Sequence, residues 1–301
     1  MAITVYRPKN MPRKQMAANL LNTASAYVWL LPAIILFTTF TFYPFVKTIY
    51  LTFFLTNAAG QPVRFVGLNN YIRIFGSEGF SNTLFLTFKF AALVGLGTFV
   101  MSMFLALLAA SKQRGGRIYE IMFSLPMAVA SAAASIIWNF VFAPRAGVMN
   151  YLLGTQFLWL SDTNLALYVV ALVTIWSGIG ASFIFLMVGF RNVPTELLES
   201  AAIDGASPLD RVFKILIPLA SPQIFFVIFL NIAGSFQAFA QIRLLTRGGP
   251  LQSTNVLIYS LYDMAFNNNR FESACVLALT LFVIIFLVTR IQFYFEKKVV
   301  Y

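Results

Sequence analysis

Histidine is absent from the 301-residue sequence, and cysteine occurs only once, at Cys275. Histidine is the commonest general base and the commonest metal ligand, so its absence argues against the chemistries that depend on it. A single cysteine excludes a disulfide within the chain and disfavours a thiolate metal site. No Gly-Lys dipeptide occurs, so the chain lacks a phosphate-binding loop of the G-x4-GK[ST] kind. The sequence therefore predicts no metal and no cofactor in this chain.

Charged residues are also scarce, at 10% of the sequence against roughly 25% in an ordinary soluble domain. Hydrophobic residues make up 59% of the chain, 33 residues are Phe, and the mean hydropathy is +0.80. This composition predicts an all-α integral membrane protein. The net charge of +11 fits cytoplasmic loops rich in Lys and Arg better than it fits nucleic-acid binding, because no basic soluble domain is present.

Six apolar stretches are long enough to cross a bilayer, which takes about 20 residues in a helix. The first contains Pro32 and Pro44, which predict a kink or a partly interfacial outer end. The six predicted spans are Tyr27–Phe54, Thr83–Ala110, Tyr119–Phe142, Leu165–Phe190, Pro218–Ile242 and Ser273–Phe293.

The positions of Lys and Arg predict the orientation. With the N-terminus inside, thirteen basic residues fall in cytoplasmic segments and six in the opposite loops. Both termini are therefore predicted to be cytoplasmic, with residues 1–24 as a cytoplasmic segment and residues 25–301 as a six-helix transmembrane domain. The apolar stretch after the basic start is too long for a signal-peptide core, so it is interpreted as a retained first span. Segment 191–218 is then also cytoplasmic.

The ten carboxylates all fall in predicted loops or at helix ends. Proton-coupled carriers generally need an acid or a histidine inside a span, so this pattern argues against proton coupling. Sodium coupling is weakened less, because backbone carbonyls can bind that ion.

The segment between the fourth and fifth spans predicts two short helices. Thr195 is placed to cap the first, and Gly205 suits the left-handed position that ends it. Ser207 and Pro208 predict the cap and first turn of the second helix. Pro218 marks the change of direction back toward the membrane.

Two readings of this segment remain, a helix resting on lipid head groups and a docking surface for another protein. From Arg191 to Lys214 it contains four acidic and three basic residues. A helix lying on a membrane usually carries Lys and Arg on its polar face. The charge pattern therefore favours docking.

The pattern Glu199-x-Ala-x3-Gly205-x9-Ile215-x2-Pro218 resembles the coupling motif of membrane subunits of bacterial ABC importers, whose usual form is Glu-Ala-Ala-x3-Gly-x9-Ile-x-Leu-Pro. Ser200 replaces the first Ala, and Ile217 replaces Leu. Other stretches resemble the carbohydrate-uptake branch, in particular permeases of the glycerol-3-phosphate and maltose type. They are Leu31-Pro32-Ala33, Tyr43-Pro44, Phe65-Val66-Gly67-Leu68-Asn69-Asn70-Tyr71, Leu125-Pro126, Gly248-Gly249-Pro250, Ser253-Thr254 and Leu257-Ile258-Tyr259.

The resemblance implies a six-span transmembrane domain of the type I importer fold with a cytoplasmic coupling helix. It also implies a heterodimer with a second permease subunit, two ATPase subunits that bind ATP and Mg, and an extracytoplasmic solute-binding protein. In that arrangement Glu199 is a polar anchor, Ala201 and Ala202 permit close contact, Asp204 is exposed at the turn, and Gly205 makes the turn.

Polar residues within the spans are candidates for the substrate pathway. Asn231, Ser235 and Gln237 cluster in the fifth span, where Gly234 interrupts the apolar run, and Trp138 and Asn139 lie in the third. Interhelical hydrogen bonding is the alternative role for such residues. No Arg lies in the middle of a span, which favours a neutral sugar over a glycerol phosphate. Four glycines are predicted instead to be points of close helix packing, namely Gly95, Gly97, Gly178 and Gly180.

The resulting expectation is a non-enzymatic permease subunit of an ATP-driven sugar importer in the bacterial inner membrane. One rival is a stand-alone, sodium-coupled secondary carrier. The other is a structural or insertion-machinery subunit whose cytoplasmic helix recruits a different partner.

Overall fold

The computed structural model describes residues 27–110 and 116–299, so the predicted cytoplasmic segment 1–24 lies outside the described residues. The chain divides into two compact units, residues 1–51 and 52–301. Within the first unit, helix α1 spans Tyr27–Leu51 and contains a π-helical turn at Thr38–Phe42. This irregularity directly precedes Pro44, one of the two residues that predict a kink. The helix ends earlier than predicted, because Phe54 belongs to a strand.

The second unit is almost entirely helical. Three of its helices are long, and the others are short connecting helices or halves of bent segments. The elements are β1 (Phe54–Thr56), β2 (Pro62–Phe65), α2 (Asn69–Phe75), α3 (Glu78–Ala110), α4 (Gly116–Ser124), α5 (Ser131–Val141), α6 (Val148–Leu153), α7 (Ala166–Arg191), α8 (Thr195–Ile203), α9 (Pro208–Arg211), α10 (Ile217–Leu219), α11 (Ser221–Ser235), α12 (Ala240–Leu245), α13 (Leu257–Tyr262) and α14 (Phe271–Val299).

Four of the described helices are long and apolar enough to cross a membrane uninterrupted: α1, α3, α7 and α14. Two further spans are bent pairs, which gives six spans if each pair crosses once. The prediction of a helical fold is therefore confirmed. Six spans result if each bent pair crosses once, and two of the six are then bent instead of straight.

The third predicted span is broken. Residues 116–128 and helix α5 meet at an angle of 100°, so Tyr119–Phe142 does not form a single rod. Pro126 lies in a 3-10 turn, Leu125–Ala128, directly before the break. Proline lacks the N–H that an α-helix would use and its ring crowds the preceding turn, which ends the regular helix at this point.

The fifth predicted span is also interrupted at both ends. A bend of 73° separates residues 208–219 from α11, and α11 ends at Ser235 rather than at Ile242. The change of direction occurs at Ala220, two residues beyond Pro218. Pro222 occupies the first turn of α11, where its missing N–H is tolerated.

Helices α3 and α7 pack most extensively against one another, and glycine makes their approach close. A Cβ on Gly97 would lie 2.5 Å from Ile175 Cδ1, and a Cβ on Gly178 would lie 3.0 Å from Thr98 Cγ2. At the break in the third span, a Cβ on Gly180 would lie 2.8 Å from the Met127 backbone nitrogen. These contacts confirm the prediction of close packing for Gly97, Gly178 and Gly180, whereas a Cβ on Gly95 would lie 3.4 Å from Ile232 Cγ1, an ordinary van der Waals contact.

A polar cluster joins the start of the second unit to its last helix. Glu272, at the start of α14, is only 5% exposed. Its carboxylate accepts from Arg73 Nη2 at 3.0 Å and from Thr56 Oγ1 at 2.7 Å, and Arg73 also reaches Ser273 Oγ at 3.1 Å. The buried Asn70 amide donates to the Thr52 and Phe54 carbonyls, both at 2.8 Å. The hairpin and α2 are thereby fixed to the N-terminal end of α14.

Candidate functional site

The segment that carries the coupling motif begins with α8. The helix starts at Thr195 itself, with Pro194 at the cap position, and it has no side-chain cap hydrogen bond within the described residues. The prediction that Thr195 caps a helix beginning at Glu196 is therefore wrong. Pro194 occupies the cap position, and its ring carries no oxygen that could accept from the first N–H groups of α8, so the helix starts without a side-chain cap.

The turn after α8 has the backbone geometry that the sequence predicts. Gly205 lies in the left-handed region at φ 85°. The Ala206 N–H donates to the Ala201 carbonyl at 2.9 Å, and the Gly205 N–H donates to the Ala202 carbonyl at 3.2 Å. These two bonds form a Schellman motif, in which a left-handed residue lets the last carbonyls of a helix find partners.

The second helix, α9, begins with an ordered cap. Ser207 Oγ accepts from the Asp210 N–H at 3.1 Å, and Pro208 occupies the first turn, as predicted. Asp210 also pairs with Lys214 at 2.6 Å. The hydrogen bond from Lys214, and then that from Ser207, lower the pKa of Asp210 to about 2. This carboxylate consequently stays ionised at any physiological pH.

The coupling segment divides its apolar residues between the protein interior and an exposed surface. Leu216 is buried, and Leu198 and Val212 pack against the same core cluster. Ile203 and Leu209 point outward instead, with 86% and 69% of their surface exposed. Phe213, beyond the end of α9, is also 63% exposed.

The residues that match the coupling motif lie on or beside this outward surface. Glu199, Ala202, Asp204 and Gly205 are exposed, and Ala201 is half-buried. The segment thus presents small and acidic residues together with exposed Ile203, Leu209 and Phe213. An apolar surface of this kind on a polar connecting segment is typical of a protein contact.

A cavity of about 320 Å³ lies between α3, α5, α7, α11 and α12, and we refer to it as the central cavity. Three of the predicted substrate-pathway residues line it, Asn231, Ser235 and Gln237. Its other walls are built by Val94, Thr98, Ser131, Thr174, Ser177, Gly178, Leu230, Gly234, Ala238, Phe239, Ala240 and Gln241. None of these described lining residues is charged.

The break after α11 opens this cavity. The helix ends at Ser235, and residues 236–239 are not helical before α12 begins at Ala240. The chain therefore leaves the helix directly after Gly234 and Ser235, where the polar residues cluster, in agreement with the interruption in the apolar run. The role of Asn231, Ser235 and Gln237 in binding solute stays a prediction.

The two remaining candidates lie elsewhere. Trp138 stacks on Phe142, with ring centroids 5.5 Å apart, and meets Trp176 edge-on at 5.6 Å. Asn139 lines a second cavity, of about 360 Å³, together with Ser161 and Thr246. Both candidates lie on α5 several residues beyond Ser131, the residue of that helix that lines the central cavity.

Sequence reasoning missed two residues at the central cavity. Thr98 lines it from α3. Ser182 lies behind the wall on α7 and donates its hydroxyl proton to Asn231 Oδ1 at 2.8 Å. Each is an isolated small polar residue in an apolar helix, and nothing in the local sequence distinguishes such a residue from a packing contact.

Helix α7 connects the cavity to the coupling segment. It carries Thr174, Ser177 and Gly178 on the cavity wall and ends at Arg191, four residues before α8 begins. Arg191 forms an ion pair with Glu120 on α4. The bent third span and the end of α7 are thus joined next to the coupling segment.

Comparison with known families agrees with this geometry. The model of the family described as "Binding-protein-dependent transport system inner membrane component" matches residues 99–301. The chain belongs to this family. It is accordingly a permease subunit of a binding-protein-dependent ABC importer and a component of the inner membrane.

Similar sequences cover nearly the whole permease. It is 34% identical over 281 residues to the sn-glycerol-3-phosphate transport system permease protein UgpA of Yersinia enterocolitica serotype O:8 / biotype 1B, covering 91% of this chain and 95% of that protein. It is 32% identical over 280 residues to UgpA of Escherichia coli O157:H7, with the same coverage of both chains.

Solved structures share the fold. A chain of a bacterial ABC transporter involved in the import of the acidic polysaccharide alginate matches with a TM-score of 0.83 at 20% identity, covering 95% of the permease and all of that chain. A chain of the MetNI methionine ABC transporter in an inward-facing conformation matches with a TM-score of 0.58 at 14% identity, covering 74% and 99%. The permease therefore has the type I importer transmembrane fold.

Proposed function

We propose that this permease forms half of an ATP-driven translocation pathway for a sugar or related solute, and that segment 191–218 couples it to a partner ATPase. The observation that carries the proposal is the surface of that segment. Its turn is fixed by the two hydrogen bonds at Gly205 and Ala206, and it exposes Ile203, Leu209 and Phe213 beside Glu199. A rigid, partly apolar surface of this kind fits a groove in another protein.

The partners follow from the family and from the chain's lack of a phosphate-binding loop. A second permease subunit would complete the pathway, and two ATPase subunits would bind ATP and Mg and hydrolyse the ATP. An extracytoplasmic solute-binding protein would deliver the solute. One solved relative of the fold is a bacterial alginate ABC transporter in complex with an alginate pentasaccharide-bound periplasmic protein, which supports such a partner.

Both termini are proposed to lie in the cytoplasm. The support is the count of thirteen basic residues in the segments on that side against six on the other. Segment 191–218 is then also cytoplasmic, where a partner ATPase could reach it. Closure of the ATPases would move α8 and, through α7, the wall of the central cavity, as alternating access requires.

The solute path is proposed to include the central cavity, with Asn231, Ser235 and Gln237 as contacts. Asn139 and Trp138 are retained only as contacts near the second cavity. The names of the sequence relatives specify sn-glycerol-3-phosphate, and that of the fold relative specifies alginate. These solutes share a polyhydroxylated carbon skeleton, which supports the carbohydrate class.

A purification from the native host tests the proposal. The tagged permease is extracted in mild detergent, its partners are identified, and ATPase activity is measured. We expect a second permease and a nucleotide-binding subunit to copurify with the wild type and to be lost with Glu199→Lys.

Glu78→Lys is the matched control. It makes the same charge change at an exposed site outside the coupling segment, at the start of α3. Recovery of the permease alone, without ATPase activity, would support the sodium-coupled carrier instead. Equal recovery of partners with Glu199→Lys and wild type would contradict the role of Glu199 as an anchor.

A further inference from the structure

We infer that the central cavity selects an uncharged solute rich in hydroxyl groups, and that Ser182 is a positioning residue that aims the Asn231 amide at this solute. The inference rests on the proposed function, because it takes the central cavity as part of the solute path. It goes further because it derives the chemical class of the solute from two features of the cavity wall. These are the directions of the hydrogen bonds made by five of its side chains and the absence of charge among its described residues.

Three hydroxyl groups of the wall can act toward a solute only as acceptors. Thr174 donates its proton to the Val170 carbonyl at 2.7 Å, Ser177 donates to Val173 at 3.0 Å, and Ser235 donates to Ile232 at 2.7 Å. A hydroxyl has one proton and two lone pairs. Since each proton is already engaged within the hydroxyl's own helix, these three groups can offer a solute only lone pairs.

The Gln237 amide adds a further acceptor. One N–H of its Nε2 donates to the Ala233 carbonyl at 3.3 Å, which leaves its carbonyl oxygen as an acceptor and its second N–H as a donor. The described wall therefore places four acceptors, from Thr174, Ser177, Ser235 and Gln237, around one space.

Asn231 has the opposite arrangement. Its Oδ1 accepts the Ser182 proton at 2.8 Å, so the orientation of the amide is fixed with the NH₂ group on the other side. Nδ2 is buried and has no hydrogen-bond partner among the described residues. An unpaired buried donor is unfavourable, and a solute oxygen that accepts from Nδ2 would relieve that penalty.

Ser182 acts through Asn231. It is 5% exposed and does not line the cavity, so it does not reach the solute. Without its proton the Asn231 amide could rotate and turn its oxygen toward a wall that already presents acceptors.

A solute hydroxyl matches this wall, because it can donate to the four acceptors and accept from Nδ2. A phosphate or carboxylate group can only accept. It would meet the lone pairs of these four groups, and the described lining residues supply no cation to offset its charge. The chemistry thus points away from the phosphorylated solute named for the sequence relatives and toward neutral sugars and polyols.

The first test uses the complex purified with its partners and reconstituted in liposomes with ATP. Labelled neutral probes (glycerol, glucose and maltose) are compared with phosphorylated ones (sn-glycerol-3-phosphate and glucose 6-phosphate). We expect ATP-driven uptake from the neutral set, and uptake of each phosphorylated probe at least about tenfold lower at equal concentration.

Preferential uptake of a phosphorylated probe would overturn the inference while leaving the importer function intact. An active ATPase complex that takes up neither set would also overturn it, because the solute would then belong to another class. Failure to recover any ATPase partner would instead overturn the proposed function, so the two failures are distinguishable.

The second test separates positioning from folding. Ser182→Ala is expected to raise the KM for the transported neutral probe about tenfold while kcat changes less than about twofold. Ser182→Thr retains the hydroxyl and should restore most of the affinity. Asn231→Leu should raise KM similarly, and the double variant should add little, because both changes remove the same oriented donor.

Ser102→Ala is the matched control. Ser102 is fully buried on α3 and donates to the Thr98 carbonyl of its own helix at 2.7 Å, so its loss should leave KM unchanged. A Ser182→Ala permease with wild-type KM would overturn the positioning role. Loss of kcat together with a lower unfolding temperature, at unchanged KM, would show that Ser182 is structural only.

Discussion

The coupling segment and the central cavity are built in opposite ways. The coupling segment is formed by residues close together in sequence, and its turn is fixed by backbone hydrogen bonds while its side chains project outward. The cavity draws its walls from Val94 to Gln241, on five helices, and most of its hydroxyl protons are engaged inside those helices. A contact with a protein can thus be specified by local backbone geometry, whereas a contact with a small solute depends on long-range assembly.

Gly205→Val should have the largest effect. It tests whether the backbone geometry of the turn in the coupling segment is required for transport. A Cβ at Gly205 would meet no atom within 4 Å, so the change is opposed by φ 85° alone and not by crowding. A β-branched residue is poorly tolerated there. We expect ATP-driven uptake to fall by at least about tenfold, with normal membrane insertion, measured by vesicle uptake and immunoblotting.

Gly205→Asn is its control, because Asn adopts the left-handed region more readily than other residues with side chains. It should keep most of the uptake. Normal uptake by the valine variant would show that the left-handed turn is dispensable.

Thr174→Val should have the next largest effect. It tests whether the side chains that line the central cavity contact the solute. It removes one acceptor from the cavity while keeping the shape of the side chain. We expect KM for a neutral solute to rise about fivefold, with the ATPase partners still bound. Thr280→Val serves as control, because Thr280 makes the same bond to its own helix, at 2.8 Å, on α14. Equal KM changes in both variants would argue against a specific role for Thr174.

Gly180→Ala examines the bent span that borders the cavity. A Cβ would lie 2.8 Å from the Met127 nitrogen and 2.9 Å from the Ser124 carbonyl oxygen, so backbone must move. Overpacking of this kind destabilises by about 1–3 kcal/mol, and we expect a lower unfolding temperature. Gly234→Ala, where a Cβ would meet nothing within 4 Å, should not lower it. Matching unfolding temperatures for the two variants would contradict the close contact.

Glu120→Gln should have the smallest effect. The Glu120 and Arg191 side chains are 28% and 62% exposed, and pairs this open contribute about 0–1 kcal/mol. We expect a shift of the unfolding temperature near the limit of measurement, which disappears at high salt. A large loss of transport would show instead that this ion pair carries motion between the coupling segment and the bent span.

The sequence was informative wherever structure depends on neighbouring residues. Gly205 and Ser207 could be assigned their turn and cap roles because the left-handed region and the helix N-cap each favour particular residues. Composition and apolar length likewise predicted the spans formed by α3, α7 and α14. The cap role of Thr195 was predicted wrongly. The helix begins at Thr195 itself, one residue earlier than predicted, and Pro194 occupies the cap position.

The cavity could be predicted only in part. Asn231, Ser235 and Gln237 stood out because they interrupt an apolar run near Gly234. The placement of Asn139 at the second cavity could not be foreseen, because it depends on which residues of other helices pack around the far end of α5.

The polar cluster around Glu272 has a consequence for biosynthesis. Arg73 and Glu272 are separated by 199 positions, so the hairpin and α2 emerge from the ribosome long before their carboxylate partner exists. Until α14 has been synthesised, Arg73 and Thr56 have no access to Glu272, and the hairpin and α2 are left without this anchor. A nascent or truncated chain that lacks α14 would leave this segment unanchored and more open to proteolysis, whereas a completed chain holds it in place.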